Sequence, residues 1–119
     1  MSAVRGEVAE LMCAATMLDA GMVWAWPIAG MHYDGLVCFD EADPNTYWRV
    51  QVKRIFMWNG RTPSVNVRRG DDTRYRLNDA DYLAAVDVDA GLVYLFPWES
   101  VYRKKRLCIN HDKHQEFLI

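Results

Sequence analysis

Four polar residues of this chain have types and spacing suited to hydrolytic chemistry: Glu10, Asp34, Gln51 and Lys53. Glu10 lies in Gly6-Glu7-Val8-Ala9-Glu10-Leu11, Asp34 opens an apolar run, and Gln51 and Lys53 stand two apart in Val50-Gln51-Val52-Lys53. Two carboxylates and an amide oxygen make a hard oxygen-ligand set suited to Mg2+ or Mn2+. A cation held there polarises a phosphodiester and helps to produce hydroxide. A neighbouring ammonium orients or deprotonates the attacking water and stabilises developing charge. Taken singly, each residue has a plainer reading. Glu10 is an early helix acid favoured by the dipole, Asp34 a strand-edge or turn residue, and Lys53 a solvated lysine. The chemistry resides in the ordered set.

The elements that must position this set follow from periodicity. Val4, Val8, Leu11, Met12, Ala15 and Leu18 recur at spacings of three or four, predicting a helix over about Val4–Ala20 with that apolar stripe inward. Ser2 is the expected N-cap and Gly21 the expected stop. Met22–Pro27 reads as a first strand, Ile28–His32 as a loop and Tyr33–Phe39 as a second strand. Asp40–Thr46 is a strong turn signal, and Tyr47–Phe56 alternates as a third strand. There Trp48, Val50, Val52 and Ile55 face one side, and Arg49, Gln51 and Lys53 the other. Period-two geometry puts Gln51 and Lys53 on one face, where Asp34 from the neighbouring strand and Glu10 from the packed helix can reach them.

Downstream, Asn59-Gly60 and Gly70-Asp71-Asp72 are turns flanking a short strand, Ser64–Arg68. Asn78–Tyr82 reads as a helical turn capped by Asn78. Leu83–Val88 and Leu92–Phe96 form a hairpin around Asp89-Ala90-Gly91, with Pro97 ending it. Leu107–Asn110 is a short strand before a polar tail.

Length and composition set the outer bounds. A chain of 119 residues is sized for a single domain, 1–119, and its 51% apolar content argues against disorder. Cys13, Cys38 and Cys108 form no CxxC pair and lie among apolar neighbours, so they read as buried free thiols of a protein in a reducing cytoplasm. The N-terminal apolar stretch is interrupted by Glu10 and lacks a basic leader, which argues against a signal peptide, a membrane span or a membrane partner. The net charge of −2 hides a strong polarity. Residues 1–48 carry one basic and seven acidic side chains, whereas residues 49–76 carry eight basic and two acidic. A second basic run, Arg103-Lys104-Lys105-Arg106, follows. Such polarity creates a local positive face on an acidic protein, or simply a solvated strand surface. His111-x-x-His114 lacks paired cysteines or a second ligand cluster and reads as surface tail, and His32 as a loop histidine.

With these residues in place, the chain resembles the PD-(D/E)XK nuclease superfamily of restriction enzymes and, more distantly, archaeal Holliday-junction resolvases. The nearer likeness is to the small branch of bacterial intron-encoded homing endonucleases. It rests on Gly6-Glu7-Val8-Ala9-Glu10-Leu11, Tyr33-Asp34-Gly35-Leu36-Val37 and Val50-Gln51-Val52-Lys53. Asp79-Ala80-Asp81-Tyr82-Leu83-Ala84 and Val93-Tyr94-Leu95-Phe96-Pro97 extend it, so it runs from about Gly6 to Pro97. Tyr33 stands where the wider superfamily has Pro, and Gln51 where it carries an acid, which removes one charge from the site.

The resemblance implies an α/β fold with a restriction-endonuclease-like mixed β-sheet, a flanking N-terminal helix and edge hairpins. It implies a DNA endonuclease using Mg2+ or Mn2+, with Glu10, Asp34 and Gln51 as metal ligands and Lys53 managing the water. Arg54, Arg61, Arg68, Arg69, Arg74 and Arg76 are the candidate phosphate contacts on DNA, and cutting both strands calls for a homodimer or homotetramer. Two rivals remain: a non-catalytic nucleic-acid- or protein-binding module on the same fold, and a small assembly protein whose aromatics serve oligomerisation.

Overall fold

The computed structural model describes residues 2–69 and 71–119, with the side chains of residues 2–5 outside the description. Its first element is a long helix, α1 (Ser2–Asp19). Gly21 ends it with φ +87°, where its N–H reaches the Leu18 carbonyl and the Met22 N–H reaches that of Met17. This is a Schellman closure, which needs the left-handed conformation glycine adopts freely. The expected Ser2 cap and Val4 contact fall outside the described side chains, and Gly70 of the expected turn falls outside the described residues.

The buried face of α1 differs from the stripe the spacing predicts. Leu11 and Leu18 are 62% and 57% exposed, and Val8 and Ala15 are exposed too, whereas Ala9, Cys13, Ala14 and Met17 are buried. Ala9, Cys13 and Met17 form a second stripe at spacings of four. Their small or flexible side chains let the helix lie close on the sheet, which the bulkier leucines would hold off.

The chain then forms β1 (Val23–Ala25), β2 (Gly35–Cys38), β3 (Trp48–Arg54) and β4 (Phe56–Trp58). They are followed by β5 (Thr62–Asn66), β6 (Tyr82–Asp87), β7 (Leu92–Pro97), a short helix α2 (Trp98–Val101) and β8 (Arg106–Cys108). A five-stranded mixed sheet runs β1-β2-β3-β6-β7, with β3 and β6 parallel and the other pairs antiparallel. The predicted three-strand meander and the β6–β7 hairpin are both present. The long third strand is divided at Ile55, and its end departs as β4 into a second sheet, β4-β5-β8.

The five-stranded sheet is covered on both faces. On one, Ala9, Cys13 and Met17 pack on Val37, Val50, Val52, Ala84 and Val86. On the other, Leu83, Ala85, Tyr94 and Phe96 meet Val65 and Leu107 of the second sheet, with Val67, Tyr75, Trp98 and Ile109. Coverage from both sides explains why β6 reads Leu-Ala-Ala-Val without alternation.

Several expected boundaries shift. The Asn78 turn is a 3-10 helix, Leu77–Asp79, in which the Asp79 carboxylate accepts the Arg76 N–H at 2.7 Å, so Asp79 supplies the cap that Asn78 was expected to supply. Pro97 is the last residue of β7, tolerated because β7 is an edge strand. The C-terminal segment is no loose tail. Leu118 bridges to Tyr94, the Ile119 N–H reaches the Val93 carbonyl at 3.0 Å, and the Phe117 ring packs tilted against Phe96. His111 contacts the Tyr94 hydroxyl and His114 accepts the Asn110 N–H at 3.0 Å, so both histidines serve the docking of this segment. All three cysteines are free, as expected, yet Cys108 is exposed because it alternates with buried Leu107 on β8.

Gly35 begins β2 where the Trp24 ring leaves no room for a side chain: a Cβ there would sit 1.9 Å from the indole. Gly35→Ala is therefore expected to lower stability by about 1–3 kcal/mol, the cost of overpacking a filled site. Urea unfolding checks this, and a double-mutant cycle with Trp24→Ala should recover much of the loss.

Candidate functional site

The site forms where β2 ends and β3 continues. The last bond of the β2–β3 ladder on this side is the Asp34 N–H to the Val50 carbonyl, at 2.9 Å. Beyond it the Val52 N–H has lost its strand partner, and the Asp34 carboxylate replaces that strand. Oδ2 of Asp34 accepts the Val52 N–H at 2.8 Å and the Gln51 Nε2–H at 2.8 Å. One carboxylate oxygen thereby satisfies a buried backbone donor and orients a side chain.

Gln51 is 7% exposed, and with its nitrogen turned to Asp34 its Oε1 is buried without a hydrogen-bond partner. An orphaned buried acceptor beside a carboxylate is what a cation site requires of its ligand oxygens. Gln51 and Lys53 pair with Leu83 and Ala85 of β6, so they project from the sheet face opposite α1. The sequence reading brought Glu10 onto the same face as the strand residues. Instead, Glu10 comes from the helix side and meets Asp34, and the open edge beside β3 lets groups from both faces reach that carboxylate.

Electrostatics tie the cluster together. Burial, the adjacent Asp34 carboxylate and a hydrogen bond to it, and then Glu7, push the Glu10 carboxyl up to about 7. Burial also raises Asp34, against the Val52 N–H, the Glu10 hydrogen bond and the Lys53 charge. Two partly buried carboxyls side by side favour holding a proton when no cation is present. Burial lowers Lys53, opposed by Asp34. Its Nζ donates to the Arg68 carbonyl at 3.0 Å and lies 5.2 Å from the Tyr75 ring centroid. The Tyr75 hydroxyl is pushed up to about 12 by burial and then by Asp34. Tyr75 and the Arg68 carbonyl are members of the site that the four-residue pattern did not contain. They arrive on a loop whose contacts have no local signature.

The six arginines divide. Arg54 is partly buried at the end of β3, Arg61 lies exposed in the β4–β5 turn, and Arg74 and Arg76 are exposed beyond β5. Arg68 is partly buried and bridges to Arg74 through the backbone. Arg69 is engaged internally: it pairs with Asp79 at 2.9 Å and lies over the Tyr75 ring. Arg49, on β3, forms a fork with Asp81 through Nε at 3.1 Å and Nη2 at 3.2 Å. The two carboxylates Glu10 and Asp34 stand with an amide rather than a third acid, and the described residues hold no group of three or more His, Cys, Asp or Glu arranged around a cation. No helix among them is long and apolar enough to cross a membrane.

The N-terminal helix on a mixed sheet is the restriction-endonuclease-like α/β fold that the sequence led one to expect, with the polar cluster at its β2–β3 fork. The solved structure of a bacterial homing endonuclease, I-Ssp6803I, matches it with a TM-score of 0.75 at 20% sequence identity, covering 90% of this chain and 76% of that chain. No family model matches the sequence, and no curated protein does.

The raised Glu10 carboxyl gives a pH dependence of defined sign. The folded protein binds this proton more tightly than the unfolded chain, so its stabilising contribution is present below about 4.5 and is lost as pH rises through about 7. Thermal melts in chelator from pH 5 to 8 should therefore show Glu10→Gln gaining on the wild type as pH rises. A constant difference across that range would contradict the shift.

Proposed function

We propose that the chain, as one domain over residues 1–119, is a metal-dependent DNA endonuclease that hydrolyses phosphodiester bonds. The observation that carries this reading is the convergence on Asp34 of Glu10 from the helix, Gln51 from the strand and the Val52 N–H, with Lys53 beside them. Glu10, Asp34 and the Gln51 amide oxygen would hold Mg2+ or Mn2+, which supplies charge neutralisation at the phosphate and activation of water. Asp34 holds the Gln51 amide so that its oxygen stays free. Lys53, fixed by the Arg68 carbonyl and the Tyr75 face, orients the attacking water and offsets charge on the scissile phosphate. Arg54, Arg61, Arg68, Arg74 and Arg76 extend a positive surface for the DNA backbone, and Arg69 holds the loop beneath it. The exposed Val8, Leu11, Ala15 and Leu18 stripe on α1 supports association of copies, as double-strand cutting by a homodimer or homotetramer requires.

The lack, among the described residues, of a group of three or more His, Cys, Asp or Glu around a cation favours one alternative, a non-catalytic nucleic-acid- or protein-binding module on the same fold. Two measurements separate them. Calorimetric titration with Mn2+ should show binding that Asp34→Ala abolishes. Lys53→Met should keep Mn2+ binding while cutting the nicking rate by about a hundredfold or more. Wild-type protein that neither binds Mn2+ nor nicks duplex, branched or single-stranded DNA would sink the endonuclease reading.

The arginine surface makes a separate prediction. Removing Arg61 or Arg74 should reduce the slope of log affinity against log salt by about one each, with little change in sequence preference. Equilibrium binding to a duplex at several salt concentrations measures it.

A further inference from the structure

The second sheet carries a surface that the nuclease reading does not use. Val65 and Leu107 point into the core, so strand alternation sends their neighbours Asn66 and Arg106, which pair across β5 and β8, outward. Phe56 and Trp58, paired with Ser64 and Thr62, share that outer face. Phe56 is 42% and Trp58 39% exposed. The Arg106 guanidinium lies 3.6 Å from the Trp58 ring centroid, and with Phe56, Asn66 and Lys105 these two residues line a shallow cleft of about 140 Å³.

We infer that this cleft is a stacking site for an unpaired base of a DNA strand, with Lys105 and Arg106 on the flanking phosphates. Two observations choose this occupant. The cleft lining is basic and aromatic without an acid, and the ion pairs among the described residues engage Arg49 and Arg69, leaving Lys105 and Arg106 for a polyanion. The cleft is also small, about 140 Å³, which suits one planar ring rather than a peptide helix. A duplex presents only base edges to a protein, so exposed ring faces on this platform engage a base outside the stack. The inference rests on the nuclease reading for the presence of DNA, and deepens it by naming a strand with an unpaired base as the preferred substrate.

The test is made on the full chain in chelator, so that binding is read independently of cleavage. Fluorescence anisotropy compares a twelve-nucleotide thymidine strand with a strand of equal length built of abasic sites. Wild type should prefer the thymidine strand by about tenfold, Trp58→Ala should erase that preference, and Trp58→Phe should keep it. Lys105→Ala should weaken both strands alike. Photocrosslinking of the wild type to a 5-iodouracil strand, which needs no variant to fold, should place the crosslink on Phe56 or Trp58. Equal affinity for the two strands, a preference that survives Trp58→Ala, or a crosslink elsewhere overturns the inference. So does a Trp58→Ala protein that keeps the preference but sediments as a smaller species, since the face is then a contact between copies. A chain that binds in this way yet never cleaves leaves the stacking site standing and removes the endonuclease.

Discussion

The carboxylate of Asp34 is the constraint on which the site depends. Strand β2 stops pairing with β3 at the Asp34 N–H, and the next donor of β3, the Val52 N–H, would be buried and unpaired. An unsatisfied buried donor costs about 1–3 kcal/mol, and a charged acceptor there is worth more than a neutral one. The same oxygen takes the Gln51 amide nitrogen, which turns that side chain so that its oxygen is left bare. A structural necessity at the sheet edge thus prearranges two prospective ligands. Gly35, the next residue along, must be glycine because a Cβ there would strike the Trp24 ring.

The second layer of control is electrostatic and comes from burial on both sides of the sheet. Glu10 and Asp34 are crowded together and partly withdrawn from water, so each is held above its usual carboxylate range. A divalent cation would replace the retained proton, relieving the same repulsion. Lys53 is lowered by burial, yet it keeps a carbonyl and an aromatic face as partners, a fixed orientation without a neutralising ion pair. The Arg69–Asp79 pair and the Asp79 cap on Arg76 hold the loop that supplies those partners.

How much of this was legible in the sequence depends on the range of the interaction. The α1 stop at Gly21, the β1–β2–β3 meander and the β6–β7 turn carry local signals, and each stands where those signals put it. The inward face of α1 does not. Two apolar stripes coexist on that helix, and periodicity cannot rank Val8-Leu11-Ala15-Leu18 against Ala9-Cys13-Met17. Closeness of approach to the sheet chose the smaller residues. The departure of β4 into a second sheet and the docking of the C-terminal segment on β7 are likewise long-range outcomes, without marks in their own residues.

The sequence by itself determined the membership of the polar set, its order along the chain and the spacing that puts Gln51 and Lys53 on one strand face. Those follow from covalent connectivity and the period of a strand, which hold wherever the strand goes. Only the tertiary structure decided that Glu10 approaches from the other side of the sheet, that Asp34 is the point where the two sides meet, and that Tyr75 and the Arg68 carbonyl hold the lysine. The reason is that each of these rests on which backbone donor is left unpaired when β2 ends, and a strand's partners are chosen by the whole fold.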